Sequence, residues 1–128
     1  VKSQIALPRV LILEDEWLLA ELLEATVRGL GFDVAGPVPT VSHALELLAK
    51  DDVTMAVLDV SLGENERSYP VAHCLRERNI PFVFITGYLG TDLPDEFRNQ
   101  PLLSKPLRAE MVGSKLKSML ATVRAGDA

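Results

Sequence analysis

Four short apolar runs in this chain each stop on a polar group, and that repetition constrains the fold more than any other feature. Val53-Thr54-Met55-Ala56-Val57-Leu58 stops on Asp59, and Val10-Leu11-Ile12-Leu13 stops on Glu14-Asp15. Phe82-Val83-Phe84-Ile85 stops on Thr86, and Leu102-Leu103-Ser104 stops on Lys105. Runs of this length, aliphatic and free of Pro, read as buried strands. A carboxylate is not tolerated unpaired inside such a strand, so Asp59 is expected just past its C-terminal end, facing solvent. In an open α/β sheet that edge is where ligands bind. Asp59 alone is equally a residue that starts a turn; four strand ends of this kind read as a site.

The segments between the runs have helical spacing. Leu19, Leu22, Leu23, Val27 and Leu30 share one face of a helix over residues 16–30, which Gly31 can stop. Residues 32–38 form a weaker second strand, and Gly36-Pro37 suits them to an edge. Thr40 caps a helix that faces Val41, Ala44, Leu45 and Leu48 inward. Residues 61–67 are polar and read as a loop, after which Ser68 caps a helix with Pro70 in its first turn. Val71, Cys74 and Leu75 face inward there, which makes Cys74 a packed core thiol rather than a nucleophile. Residues 88–100 hold Gly90, Pro94 and few apolar side chains, so a helix there is expected to be short and loosely packed. A last helix spans residues 107–123, with Val112, Leu116, Met119 and Val123 at helical spacing. The chain thus divides into a leader (1–8), one domain (9–123) and a fraying tail (124–128). Strand and helix alternating five times imply a doubly wound α/β fold: a parallel sheet with helices on both faces and right-handed crossovers.

Composition narrows the function. A formal net charge of −5 argues against attraction to nucleic acid or to an anionic membrane. Cys74 is the single cysteine, which excludes an internal disulfide and fits a reducing, cytoplasmic setting. With it, His43 and His73 do not make a typical zinc site. No apolar run reaches the ~20 residues that span a bilayer.

What remains is carboxylate chemistry at the strand ends. Glu14, Asp15 and Asp59 fall on one edge, and clustered carboxylates repel unless a cation joins them. Oxygen-only ligands in a partly hydrated site favour Mg²⁺ over zinc. Glu14-Asp15 is also well placed at the N-terminus of the first helix, where acids are favoured. With its charge screened, Asp59 can attack phosphorus as a nucleophile. Thr86 then offers a hydroxyl, and Lys105 a point charge, to the phosphoryl oxygens. Pro106 holds the Lys105 backbone away from the helical region.

Over residues 9–123 the chain resembles a response-regulator receiver domain of two-component signalling. Glu14-Asp15 matches that family's acidic pair, Asp59 its phosphoacceptor, Thr86 its switch hydroxyl and Lys105-Pro106 its Lys-Pro motif. The resemblance implies a flavodoxin-like (βα)5 sheet of strand order 2-1-3-4-5. It also implies Mg²⁺-dependent phosphorylation by a histidine kinase or histidine phosphotransferase, and a downstream protein partner. By the same resemblance the Ser61 carbonyl would be a further Mg²⁺ ligand. Two departures stand out. Leu102 occupies the fifth-strand position, three before the lysine, where the family often carries an aromatic switch residue. The stretch Phe84-Ile85-Thr86-Gly87-Tyr88 resembles a subgroup of small alphaproteobacterial receivers with a Phe-x-Thr-Gly-Tyr signature, in which Tyr88 is either a relocated aromatic element or ordinary packing. With no ring at Leu102, the output face is expected at residues 86–100, the fifth strand and the last helix.

Three other readings compete. Beside the leading reading of a stand-alone receiver, a close variant is a receiver cut from a hybrid kinase or a longer regulator. A phosphatase with an Asp nucleophile would want a second Asp two residues on, where Ser61 stands. A flavodoxin-like FMN binder needs a Ser/Thr/Gly-rich phosphate loop after the first strand, where Glu14-Asp15-Glu16-Trp17 would repel phosphate.

Overall fold

The computed structural model describes residues 7–87 and 93–126, with side chains as far as residue 123. Five parallel strands form the central sheet: β1 (Arg9–Leu13), β2 (Asp33–Val38), β3 (Met55–Asp59), β6 (Phe82–Thr86) and β7 (Leu102–Ser104). Their order is β2-β1-β3-β6-β7, the flavodoxin-like arrangement expected. Four α-helices connect or follow them: α1 (Trp17–Gly29), α2 (Val41–Lys50), α3 (Tyr69–Glu77) and α4 (Ala109–Gly126).

Alternation along the strands builds two cores. Leu11, Leu13, Ala56, Leu58, Phe82 and Phe84 point to one face, where Ala44, Leu48, Val71 and Leu75 of α2 and α3 cover them. Val10, Ile12, Met55, Val57, Val83 and Ile85 point to the other, beneath Leu23 and Val27 of α1 and Val112 and Leu116 of α4. Because both faces are buried, β3 and β6 read as unbroken apolar runs. The helix boundaries follow local chemistry. Thr40 Oγ1 accepts from His43 N–H at 3.2 Å at the start of α2. Gly31 adopts φ +85° just beyond α1, and its N–H donates to Arg28 O.

Several sequence expectations change. Residues 61–67 are not a plain loop: β4 (Ser61–Leu62) and β5 (Glu66–Arg67) pair antiparallel as a small hairpin. Leu22 and Leu45 do not face the core; each is 37% exposed, because each helix buries a narrower stripe than its leucines suggest. The loose packing expected of residues 88–100 does not hold for its described part. Asp95–Phe97 form a 3₁₀ turn whose Phe97 is 0% exposed. Phe97 stacks on Tyr69 and meets Phe82 and Phe84 edge-on, while the Arg76 guanidinium lies 4.5 Å above its ring. Phe97, with Leu93 packed against the same core, therefore seats a segment that has few apolar residues. The last helix continues to Gly126, past the expected end at 123. Residues 1–6 of the expected leader, residues 127–128 of the tail, and Tyr88 lie outside the described residues.

Candidate functional site

The carboxyl ends of β1, β3 and β6, with the connection after β7, bring the expected side chains together. Glu14 follows β1 directly and is 2% exposed. Asp15 is exposed beside it. Asp59 corrects the expectation: it is the last residue of β3, paired in register with Ile85, and only 3% exposed. It tolerates burial because the chain brings it a cation. Lys105 Nζ lies 3.0 Å from Asp59 Oδ2, and Ser61 N–H donates to Oδ1 at 3.3 Å. The parallel pairing of β6 and β7 makes that reach possible: Thr86 stands opposite Ser104, and Lys105 N–H donates to Thr86 O at 2.8 Å. Thr86 itself ends β6 one residue beyond Asp59's register partner and is 4% exposed. The Lys105–Pro106 peptide is cis.

The cluster carries three carboxylates against one ammonium. Glu14, Asp15 and Asp59 each offer an oxygen, and these oxygens lie within 4.8 Å of one another. Glu14 Oε2 accepts from Glu16 N–H at 3.0 Å. Its Oε1 is buried and finds no hydrogen-bond donor among the described residues; Lys105 Nζ is 3.9 Å away. Burial, with the charge of Asp59 added, pushes the Glu14 carboxyl up to about 8, against the pull of the Glu16 N–H and Lys105. Burial acts to lower the Lys105 pKa, but the hydrogen bond and charge of Asp59, and the charge of Glu14, outweigh it and hold the ammonium above the usual lysine value. A buried, donorless carboxylate oxygen facing two further carboxylates fits a hard divalent cation with oxygen ligands.

Three features here were missed in the sequence. Gly63 N–H donates to Asp15 Oδ2 at 2.8 Å, and Glu66 Oε1 accepts from Val41 N–H at 3.2 Å. Both come from the β4–β5 hairpin, whose signal was present as the three-residue turn Gly63-Glu64-Asn65. Phe97 is the third, and nothing local marked it as core.

No family model matches the chain. Solved structures do. SdrG of Sphingomonas melonis Fr1 superposes with TM-score 0.79 at 39% identity, over 91% of this chain and 99% of that one. The PhyR response regulator REC domain of Erythrobacter litoralis superposes with TM-score 0.79 at 30% identity, over 90% of this chain and 91% of that one. The chain belongs to the response-regulator receiver domains. A structure of SdrG from Pseudomonas melonis Fr1 in its BeF3-activated conformation also matches this receiver, with TM-score 0.75 and 40% identity over 90% of this chain and 97% of that one. The phyllosphere-induced regulator PhyR of Methylorubrum extorquens is 31% identical over 115 residues, which are 87% of this receiver. The receiver spans 43% of that curated relative's length. It is thus a signalling module of the two-component type. Leu102, where the family often has an aromatic ring, lies half-buried in β7 against the core shared with α2 and α3.

Proposed function

We propose that Asp59 accepts a phosphoryl group from a histidine kinase or histidine phosphotransferase, and that the change this causes is read by a protein partner. The observation that carries the reading is the Lys105 ammonium 3.0 Å from a buried strand-end carboxylate that sits beside two more acids. An Asp59 oxygen attacks phosphorus, the P–N bond of a phosphohistidine donor breaks, and the imidazole leaves with that electron pair and takes up a proton. An acyl phosphate remains on Asp59. Lys105 then turns from the carboxylate to the phosphoryl oxygens, and Thr86 supplies a hydroxyl to them from the next strand. Glu14, Asp15, Asp59 and the Ser61 carbonyl would hold Mg²⁺, which when bound lowers the negative charge that the donor meets. On this reading the receiver is no enzyme in the usual sense: it catalyses only its own phosphorylation and the loss of that phosphate.

A protein donor is supported by the surface next to the site. Trp17 and Leu18 are 69% and 66% exposed at the start of α1. A groove lined by Leu18, Leu19, Leu22, Pro106 and Leu107 also takes in Glu16 and Lys105. An apolar surface that reaches the lysine paired with the phosphoacceptor suits a docking protein better than a free anion. The acidic balance argues against nucleic acid as a partner, and no helix among the described residues is long and apolar enough to cross a membrane. We place the reaction in the cytoplasm, where a chain whose single cysteine, Cys74, forms no internal disulfide is at home.

Intact mass after incubation with acetyl phosphate and Mg²⁺ tests the assignment. The wild-type receiver should gain one phosphate, and Asp59→Asn, which keeps the shape and removes the nucleophile, should gain none. Phosphate uptake by Asp59→Asn at the wild-type rate would overturn it.

A further inference from the structure

The β4–β5 hairpin lies beside the acidic cluster and is fastened at two points. At its turn, Gly63 N–H holds Asp15 Oδ2 at 2.8 Å. At its returning strand, Glu66 Oε1 accepts from Val41 N–H at 3.2 Å. Val41 opens α2, so its N–H is one of the helix's orphan donors, and a carboxylate is favoured at that end. Thr40 already satisfies the His43 N–H, and Glu66 takes a different donor from 25 residues away. Leu62, 1% exposed, anchors the root of the hairpin in the core. The open space under the hairpin is lined by Asp15, Thr40, Gly63 and Glu66 among others, and these two bonds cross from the hairpin to its neighbours there.

We infer that Glu66 is a positioning residue for the metal site: by tying the hairpin to the N-terminus of α2, it sets where Gly63 N–H holds the Asp15 carboxylate. This rests on the reading of Asp15 as a metal ligand. Asp15 is the exposed member of the trio, and nothing in the core fixes its rotamer. A carboxylate has lone pairs enough to keep the Gly63 bond on Oδ2 and still face a cation. Gly63 has φ +58°, a conformation that favours glycine, and this lets the turn present its N–H toward Asp15. Outer groups that orient ligands in this way typically change metal affinity by about 10–100-fold when removed. A single bond acting through a hairpin belongs at the low end of that range.

Mg²⁺ titration by calorimetry on wild type, Glu66→Ala and Glu66→Gln tests it, together with the Gly63 amide resonance in metal-free protein. Glu66 is exposed, so neither variant threatens the core. Glu66→Ala should shift the Gly63 amide and weaken Mg²⁺ binding about tenfold. Glu66→Gln keeps a hydrogen-bond acceptor and should restore both. Wild-type affinity in Glu66→Ala, or equal losses in both variants, would overturn the inference. If wild type itself binds no Mg²⁺, the reading of Glu14 and Asp15 as ligands fails first and the positioning role falls with it.

Discussion

The receiver carries charge clusters at opposite ends of its sheet, and they are built on opposite terms. At the amino end, Arg9 bridges Asp33 at 2.7 Å and Asp51 at 3.6 Å, and Arg28 reaches Asp33 at 3.7 Å. Arg28 also pairs with Glu24 at 3.0 Å, so two guanidinium groups meet three carboxylates there, and every member is at least a third exposed. The Arg9 hydrogen bond holds the Asp33 carboxyl below its usual range, while Asp33 holds Arg9 above its own. At the carboxyl end, Glu14 and Asp59 are buried with Lys105 alone to pair them among the described residues, and Glu14 is pushed up rather than down. The first cluster is wet, so its charges are tolerated although carboxylates outnumber guanidinium groups there too. The second has an excess of buried negative charge, a state that only an added cation or proton relieves. The chain accepts that destabilisation where it can be exchanged for ligand binding.

The largest expected break in this contrast is Lys105→Ala. It leaves Asp59 and Glu14 buried without their cation, which should lower stability by about 2 kcal/mol in metal-free buffer. Mg²⁺ should recover part of that loss, as followed by urea unfolding with and without the ion. Phosphate uptake from acetyl phosphate should slow by roughly 10²-fold in the same variant. Uptake at the wild-type rate would remove Lys105 from the proposed chemistry.

Next in size is the pH response of Glu14. Its pKa is raised on folding, so the folded state holds a proton that the unfolded chain has released. Without metal, stability should therefore fall as pH rises from about 4.5 toward about 8. Mg²⁺ should flatten that slope by neutralising the ionised carboxylate. Glu14→Gln should remove the slope, raise the melting temperature at pH 8 by roughly 3–6 °C, and weaken Mg²⁺ binding. A metal-free stability curve that rises over this window would place the charge balance elsewhere.

The smallest effect belongs to the exposed end. Asp33 has a lowered folded pKa, so its contribution is present above the unfolded value near 3.8 and is lost as pH falls through the folded one. That dependence is opposite in sign to Glu14's and lies in a more acidic window. Asp33→Asn should shift the melting temperature less than either variant at the site, and less still at high salt, with phosphate uptake unchanged. A drop in uptake would mean that the two ends are not independent.

The sequence by itself determined the sheet, its two-faced burial, and the strand ends that carry Glu14, Asp59, Thr86 and Lys105. Those features are periodic and local: an apolar run of strand length between two helical stretches has few ways to pack, and its last residue falls at the sheet's edge. Tertiary structure decided the rest. Asp59 is buried because Lys105, 46 residues later, reaches it across the β6–β7 edge. Gly63 and Glu66 act on Asp15 and Val41 through a two-residue ladder too short to show an alternating strand pattern; the turn between its strands is the one local sign of it. Phe97 lies in a stretch with few apolar residues, and its burial is a property of the ring cluster formed by Tyr69, Phe82 and Phe84, against which Leu93 also packs, rather than of a periodic pattern in the chain. Periodicity reports what one segment presents to a core. It carries no information about which distant side chain will arrive to pair a charge or receive a ring, and that is where the site's electrostatics are set.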